Sequence, residues 1–480
     1  MRDLGRPVLA AAAVVVCGAA MTILDSTIVN LAIERLAVAF DARLATIQWV
    51  STAYLLALAS VIGIAGWASD RFGTRRVFMT AVAAFVAGSL LCGLAWSAGS
   101  LIAFRAVQGL GGGLVMPVGM TILARAAGPD RMGRVMALVG VPMLLAPALG
   151  PALGGALIDV ASWRLIFFVN LPVGIVALVL AARVLPREPT RPARLDVLGL
   201  ALLAPGLALL VAGLTGLVVA FVPGVLLLVA FAVHALRAQE PLIDLRIFRD
   251  RVVAASAATT LLFGAAFFGS LLLLALSFQI AHGLSALDAG LVLGVQGLGA
   301  MFTMPVAGKL TDRSGAGPVV LAGVILVVLG TVPFALDAPG WLLGLGLALR
   351  GVGMGATLMP AMAAGYAALP AEAVARAASA LEIIQRVGAL LGIAVLAVVL
   401  QHGLTERGFD GGLDTLENAP REPLAAAAAT SFTWALALTA LTLVPALVLT
   451  AAGRSGGRSE APASPAPPRR SQPDQRPDRP

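Results

Sequence analysis

The feature that most restricts the fold of this sequence is a succession of long apolar segments. A helix needs about 20 mostly apolar residues to cross the hydrocarbon core of a bilayer. Of the 480 residues, 59% are hydrophobic and 12% are charged, whereas soluble domains have about 45–50% apolar and about 25% charged residues. The apolar runs are unbroken, unlike the alternating pattern of a membrane β-barrel. The sequence therefore predicts an all-α integral membrane protein and excludes an ordinary soluble enzyme.

A window of about 20 residues predicts fourteen transmembrane spans. They are 8–29, 46–67, 77–98, 101–124, 135–158, 165–184, 196–215, 217–236, 252–281, 289–309, 317–336, 340–363, 377–401 and 425–452. The boundary at Gly216 is marked by no charge, so two apolar runs meet there directly. We expect the first segment to remain as a span, because it is longer than the apolar core of a cleaved signal peptide.

The basic residues are distributed unequally between the two sides of the predicted membrane. Twenty-five of the 33 Lys and Arg residues fall at the termini and in the connections on one side, and five fall on the other. Cytoplasmic loops carry the excess of Lys and Arg, so both termini are predicted to be cytoplasmic. The tail 453–480 has seven Pro and six Arg and no apolar run, and this composition predicts disorder.

An internal repeat divides the chain into two halves. The segment Gly66–Gly73 recurs as Gly308–Gly315, 242 residues later, and the same offset relates Gly109, Gly111 and Gly113 to Gly351, Gly353 and Gly355. We therefore predict a six-helix half at 1–190, two inserted transmembrane helices with cytoplasmic linkers at 191–250, a second six-helix half at 251–452 and the tail. Parallel halves of this kind are a transporter architecture, with the substrate site between them.

The connection between spans 2 and 3 is expected to be a cytoplasmic loop that controls conformation. Glycine permits a tight turn and a close approach, and an aspartate there can cap a helix or pair with arginine. Arginines can anchor such a loop to carbonyl groups, carboxylates or lipid phosphates. A basic loop that only fixes topology is the alternative. The residues concerned are Gly66, Asp70, Arg71, Gly73, Arg75 and Arg76.

Five motifs resemble those of the major facilitator superfamily, and within it the fourteen-span drug:proton antiporters. Gly66–Arg76 resembles the signature loop of the superfamily, and Leu24–Asn30 resembles the first-span motif of the antiporters. Arg105–Gly109, Gly150–Gly155 and Trp163–Gly174 resemble the motifs of spans 4, 5 and 6. The resemblance implies a major facilitator fold of two six-helix halves plus two inserted helices, and proton-coupled drug efflux in a bacterial inner membrane.

Two charged residues within spans are candidates for proton coupling. A carboxylate inside a membrane span is costly and usually handles protons or cations, which applies to Asp25. Its position near the extracellular end suggests access to water, and a structural role as an acceptor for Thr27 or Asn30 is the alternative. The resemblance implies that Arg105 takes part in coupling, either by pairing with Asp25 or by tuning a carboxylate; the alternative is a helix-end arginine that snorkels to the interface. In the second half, Arg350 occupies the repeat position of Gln108.

Further candidates are a pivot in span 5 and a polar site in span 13. Gly150, Pro151, Gly154 and Gly155 combine a kink with close helix packing, and the resemblance associates them with antiport. Glu382 and Arg386 are four residues apart on one helix face and form either a stabilising ion pair or a substrate or proton site. Gln108 and Asn30 are further candidates for that site. Each of the weaker pocket candidates, taken alone, is more typical of packing or of lipid contact; they are Phe263, Phe267, Phe268, Gln279, Met116 and Met120.

Other functions find no support in the sequence. There is no phosphate-binding loop for ATP and no nucleophile–base arrangement, so we expect neither an enzyme nor a cofactor, and transport driven by the proton gradient. We also expect no metal site and no nucleic-acid partner. The expected partners are a small-molecule substrate, protons and the bilayer; a periplasmic partner stays open. Alternatives are a dedicated exporter of one metabolite or self-made antibiotic, an uptake symporter, and a non-transport membrane sensor or scaffold.

Overall fold

The computed structural model describes residues 5–141, 162–187, 190, 192–214, 217–281, 283–336, 338–370, 373–409 and 421–456. Every regular element in these residues is a helix. The predicted span 5 (135–158), with Gly150, Pro151, Gly154 and Gly155, lies mostly outside them, as does the tail beyond residue 456.

The helices follow one another along the chain with short connections. In the N-terminal part they are α1 (Gly5–Leu31), α2 (Ile33–Ala39), α3 (Leu44–Ile62), α4 (Ala65–Phe72), α5 (Thr74–Gly93), α6 (Ala98–Ala127), α7 (132–141), α8 (Leu165–Phe168), α9 (Asn170–Val184), α10 (Val197–Leu214) and α11 (Phe221–Arg237). In the C-terminal part they are α12 (Arg251–Leu276), α13 (Ala286–Ser314), α14 (Ala316–Ala335), α15 (Gly340–Gly355), α16 (Leu358–Ala367), α17 (Val374–Thr405), α18 (Arg421–Leu441) and α19 (Leu443–Gly456).

The described residues contain twelve helical segments long and apolar enough to cross a membrane, and thirteen if α3 and α4 form one span bent by 56°. The predicted count of fourteen therefore stays a prediction. The two apolar runs that meet at Gly216 form separate helices, because α10 ends at Leu214 and the next helical turn begins at Val218.

The predicted loop between spans 2 and 3 is mostly helical. Residues Ala65–Phe72 form α4, and α5 begins at Thr74. Only Gly73 between them leaves the helical conformation, with φ of +83°, which glycine adopts without steric cost. Its repeat equivalent Gly315 has φ of +82° between α13 and α14. The predicted glycine turn lies at Gly73, and the rest of the predicted loop is helical because α4 and α5 continue to the turn.

The repeated glycines make equivalent contacts in the two halves. A Cβ atom on Gly109 would lie 2.5 Å from the carbonyl oxygen of Tyr54. A Cβ atom on Gly351 would overlap the carbonyl oxygen of Gln296. Tyr54 and Gln296 are themselves 242 residues apart. In the same way, a Cβ atom on Gly111 would overlap backbone atoms of α5, and a Cβ atom on Gly353 would overlap backbone atoms of α14. Small residues thus bring the helix backbones together at matching places.

The inserted helices α10 and α11 lie against the seam between the halves. Helix α10 packs on α3 of the first half and on α17 of the second, and Leu203 of α10 joins Ala59 and Ala380 in one apolar cluster. Asp196 ties this pair together, because its carboxylate accepts hydrogen bonds from the backbone N–H groups of Gly199 (2.8 Å) and Leu242 (3.1 Å). The insertion therefore contacts both halves on one side of the bundle.

The two halves meet along a shared apolar core and at the end of the bundle that carries the two glycine turns. We call this the turn end, defined by Gly73 and Gly315. Helix α17 packs there on α4 and α6. The shared core contains methionines of both halves, namely Met116, Met120, Met304, Met354, Met359 and Met362.

We predict that Gly111→Ala destabilises the protein, whereas Gly344→Ala does not. A Cβ on Gly111 would lie 2.5 Å from the backbone nitrogen of Phe85, while one on Gly344 meets nothing within 4 Å. Overpacking costs about 1–3 kcal/mol, whereas glycine to alanine in an open helical position gains up to about 1 kcal/mol. Thermal unfolding of the purified variants in detergent measures both effects. Equal unfolding temperatures for the two variants would contradict the close α5–α6 packing.

Candidate functional site

Asp25 lies at the centre of a fully buried polar cluster inside the N-terminal half. Both Asp25 and Arg105 are shielded, with 0% and 1% of their surface exposed. Asp25 comes from α1 and Arg105 from α6, which begins at a Ser97 capping box. The expectation that water reaches Asp25 is therefore wrong in this conformation, and so is that of an interfacial, snorkelling Arg105, because surrounding helices cover both side chains.

Arg105 and Asp25 form a direct ion pair. Nη1 of Arg105 lies 2.5 Å from Oδ2 of Asp25. The other carboxylate oxygen, Oδ1, accepts hydrogen bonds from Nε2 of Gln108 at 2.9 Å and from Nδ2 of Asn170 at 2.8 Å. Both oxygens of Asp25 thus have hydrogen-bond donors, as a buried carboxylate group requires.

The partners of Asp25 are themselves held by further contacts. Nη1 of Arg105 also donates to Oε1 of Gln108 at 2.7 Å, and the guanidinium lies over the Tyr54 ring at 4.0 Å. Asn170 donates to Oγ of Ser89 at 3.0 Å, and Ser89 donates to the carbonyl oxygen of Phe167. Helices α1, α3, α5, α6 and α9 therefore all contribute side chains to the cluster around this carboxylate.

The structure corrects one of the two local partners considered for Asp25. Thr27 donates its hydroxyl to the backbone oxygen of Leu24 at 2.9 Å, not to Asp25. The side chain of Asn30 lies outside the described residues. Two amide side chains donate to the carboxylate, Gln108 and Asn170. The sequence places Asn170 in the span-6 motif but assigns it no role. Tyr54 and Ser89 were missed as well, since neither belongs to a motif.

A second polar group lies between the halves, on α17. Glu382 is 7% exposed, and its Oε1 lies 2.9 Å from Nη2 of Arg386. Arg386 is within electrostatic range of the Tyr54 hydroxyl, and Glu382 is within range of the Tyr366 hydroxyl. Neither tyrosine hydroxyl has a hydrogen-bond partner in the part of the chain that the structure describes. Charged groups of the second half thus approach the Arg105 cluster of the first.

Apolar side chains surround this polar group. Phe263 and Phe267 on α12 are stacked, with ring centroids 6.1 Å apart and planes 10° apart. Both lie in the shared core with Met116 and Met120. These four residues face protein rather than lipid. Thioether and aromatic side chains adapt to apolar ligands of different shapes.

Two aspartates join the halves at the turn end. Asp312 of α13 accepts a hydrogen bond from the backbone N–H of Gly133 at 2.8 Å and pairs with Nε of Arg134 at 2.5 Å. Asp70 of α4 lies 3.6 Å from Nη2 of Arg376 and 3.8 Å from Nη2 of Arg125. Each aspartate thus meets the first turn of a helix in the other half, where a negative charge is favourable.

These two contacts are related by the internal repeat. Asp70 and Asp312 are 242 residues apart, and so are Arg134 and Arg376. The backbones also approach closely, because a Cβ on Gly133 would lie 2.6 Å from the carbonyl oxygen of Gly308, and one on Gly66 would lie 3.0 Å from Cα of Arg376. The sequence motifs do not indicate the match between Arg134 and Arg376, because both arginines lie outside the repeated Asp-Arg and glycine motifs.

The remaining basic residues of this segment differ in their contacts. Nη2 of Arg75 donates to the carbonyl oxygen of Ala182 at 2.5 Å, which anchors α5 to α9. Arg71 and Arg76 are exposed. Among the described residues, no group of three or more His, Cys, Asp or Glu residues is arranged to hold a metal ion.

Comparison with known proteins gives a consistent family match. The sequence model of the Major Facilitator Superfamily matches residues 15–393. The chain is 42% identical over 412 residues to the multidrug resistance protein B homolog of Mycobacterium tuberculosis, covering 82% of this chain and 76% of that protein. It is 32% identical over 428 residues to the tetracenomycin C resistance and export protein of Streptomyces glaucescens, with the same coverage.

A further relative and two solved structures agree with this match. The methylenomycin A resistance protein of Bacillus subtilis is 30% identical over 409 residues, covering 82% of this chain and 87% of that protein. The human organic anion transporter MFSD10 has a TM-score of 0.65 at 18% identity, covering 93% of this chain and all of that one (100%). The proton:xylose symporter XylE has a TM-score of 0.61 at 13% identity, covering 90% and 94%.

We predict that Asp25 and Arg105 are energetically coupled. Removal of one partner of a buried pair leaves an uncompensated charge and costs about 3–5 kcal/mol, so Asp25→Asn and Arg105→Gln should each lower the unfolding temperature markedly. The decrease in unfolding temperature of the double variant should be clearly smaller than the sum of the two single decreases, because the double variant leaves no charge unpaired. Thermal unfolding of all four proteins in detergent measures this cycle. Simple additivity would contradict the pairing.

Proposed function

We propose that this chain, which belongs to the major facilitator superfamily and is a membrane transporter rather than an enzyme, exports drugs from a bacterial cell in exchange for protons. The membership rests on the match over residues 15–393 and on relatives named for multidrug resistance and antibiotic export. The observation that carries the proton coupling is the Asp25–Arg105 pair, buried within the N-terminal half. The fourteen-span antiporter group named by the motifs is part of this proposal.

Proton exchange would act through the cluster around Asp25. In the arrangement described, Arg105, Gln108 and Asn170 all donate hydrogen bonds to Asp25. Opening of the extracellular side would admit water and a proton, and a neutral Asp25 would release Arg105. Movement of Arg105 would then act on Tyr54 and on Arg386 between the halves. In this proposal Asp25 carries the proton, and Arg105 moves when the charge of Asp25 changes.

The substrate would bind between the halves. Glu382 and Arg386 form an ion pair on α17, and the stacked pair Phe263 and Phe267 belongs to the apolar core that both halves share. Such a site suits apolar compounds, including cationic ones, because a cation gains from both the carboxylate and the aromatic faces. The substrate is thus expected to be apolar and in some cases cationic.

Alternating access would depend on the turn end, which by the distribution of basic residues is cytoplasmic, as are both termini. The contacts of Asp70 and Asp312 close this end in the described conformation. Inward opening must break both of them. The protein would reside in the bacterial inner membrane and need no cofactor beyond the proton gradient.

The first prediction concerns coupling. Purified protein in liposomes with an imposed pH gradient should release protons when lipophilic cations or neutral drugs are added. Asp25→Asn should reduce this flux to the level of protein-free liposomes, because its amide does not ionise. Glu406→Gln, the same change at an exposed carboxylate (63% of its side chain exposed), should leave it unchanged. Normal substrate-driven flux by Asp25→Asn would remove Asp25 from the mechanism.

The second prediction concerns the gate. Asp312→Asn removes a charge-assisted pair across the halves, each such bond being worth about 1.5–3 kcal/mol, and should populate the inward-open state. A cysteine at the buried Ser69 position should then react several-fold faster with a membrane-impermeant maleimide in inside-out vesicles. Asp130→Asn, at an exposed carboxylate of the same end, is the matched control. Unchanged labelling with Asp312→Asn would contradict a closing role.

A dedicated exporter is the second candidate function. Two relatives are named for resistance to single antibiotics, tetracenomycin C and methylenomycin A. A panel of chemically different compounds in the liposome assay distinguishes the two functions. Flux with one compound alone favours the dedicated exporter, and flux with several unrelated compounds favours multidrug efflux.

A further inference from the structure

The interior of the C-terminal half contains a buried arginine that the proposed mechanism does not use. Arg350 of α15 is 2% exposed. Its Nε donates to Oε1 of Gln296 at 3.2 Å, and its two terminal nitrogens donate to the hydroxyls of Thr331 and Ser270, both at 2.5 Å. These acceptors come from three other helices, α13, α14 and α12, and all are neutral oxygens.

The repeat shows what this cluster corresponds to. With the offset of 242, Arg350 corresponds to Gln108, Gln296 to Tyr54 and Thr331 to Ser89. These are positions of the Asp25 cluster in the first half. The position of Asp25 itself corresponds to Phe267, which is apolar.

The second half therefore has a buried arginine, Arg350, but an apolar residue, Phe267, where the first half has Asp25. Among the residues that the structure describes, no Asp or Glu forms an ion pair with Arg350, in contrast to Arg105 and Asp25. A guanidinium keeps its charge in a protein. A buried charge without a counter-charge is strongly unfavourable, and inside a membrane protein such a residue indicates function.

The hydroxyl partners of Arg350 are suited to a ligand of negative charge. Ser270 now donates to the carbonyl oxygen of Phe267 at 3.0 Å, and Thr331 donates to that of Val327 at 2.7 Å. A hydroxyl hydrogen rotates to suit its acceptor, so both groups can turn to donate to an anion held by the guanidinium. The planar fork of arginine matches a carboxylate and also attracts a halide.

A small cavity lies further along the same helices, away from the turn end. It is lined by Ser277 of α12, Phe334 of α14 and Leu343 of α15, together with residues of α18. Ser277 is two helical turns beyond Ser270, and Leu343 is two turns beyond Arg350. Seven helical residues span about 10 Å, so the cavity is separated from Arg350 by about that distance.

We propose that Arg350, Ser270 and Thr331 form an anion site inside the C-terminal half, and that a small monovalent anion, chloride or a carboxylate, occupies it. The anion supplies the negative charge that Asp25 supplies in the first half. The counter-charge of the first half is then a side chain of the protein, and that of the second half is an exchangeable ion. This site is independent of the proposed drug exchange and does not require it.

The test measures anion-dependent stability of the purified full-length chain in detergent. Chloride replaces the bulky gluconate ion stepwise at constant ionic strength, and acetate does so in a parallel series as a small carboxylate. A ligand that binds the folded state raises the unfolding temperature in a saturable manner. A saturable rise with chloride alone supports an inorganic ion, and one with acetate supports a carboxylate. The absence of a saturable rise with either anion overturns the proposal.

Variants assign the effect to the site. Arg350→Gln should abolish the anion-dependent rise, whereas Arg407→Gln, the same change at another arginine of the C-terminal half, should keep it. Arg350→Lys retains the charge without the fork, so its half-saturating chloride concentration should increase several-fold. An unchanged rise in Arg350→Gln overturns the proposal. If that variant does not fold, the wild-type titration and the Arg350→Lys shift decide the question.

Discussion

The bilayer interior offers no water to buried polar groups, so each charge inside the bundle needs a partner from the protein itself. The pairing of Asp25 with Arg105 meets this requirement in the N-terminal half, and it sets the position of the surrounding helices. Gln108, Asn170 and Tyr54 complete the contacts of the pair. Because these side chains come from α1, α3, α6 and α9, a change in the charge of one carboxylate acts on the packing of the half as a whole.

The two halves share their closing contacts but not their buried charges. At the turn end, Asp70 with Arg376 and Asp312 with Arg134 are equivalent pairs, so closure is nearly symmetric. In the interior, the first half has an acid and a base, whereas the second has Arg350 with neutral partners. The two halves are thus alike at the turn end and different in their buried charges.

The region between the halves connects these features. Arg386 and Glu382 lie on α17, which packs against α6 of the first half, and the core shared by the two halves is rich in methionine and phenylalanine. Ion pairs with few fixed hydrogen bonds and unbranched thioether side chains rearrange at low cost. This region therefore contains side chains that adapt easily, whereas the polar clusters inside each half are held by several hydrogen bonds.

The sequence by itself determined the membrane class, the approximate positions of the spans, the internal repeat and the glycine turns at Gly73 and Gly315. These depend on local composition, on the length of apolar runs and on motifs that recur along the chain. The tertiary structure decided which polar residues meet. Asn170 is 145 residues from Asp25, and Arg134 is 178 residues from Asp312. No local sequence pattern predicts either pair, because a contact between distant residues follows from the packing of whole helices. The burial of Asp25 and the missing acid at Arg350 became visible for the same reason, since both depend on which side chains surround the charge.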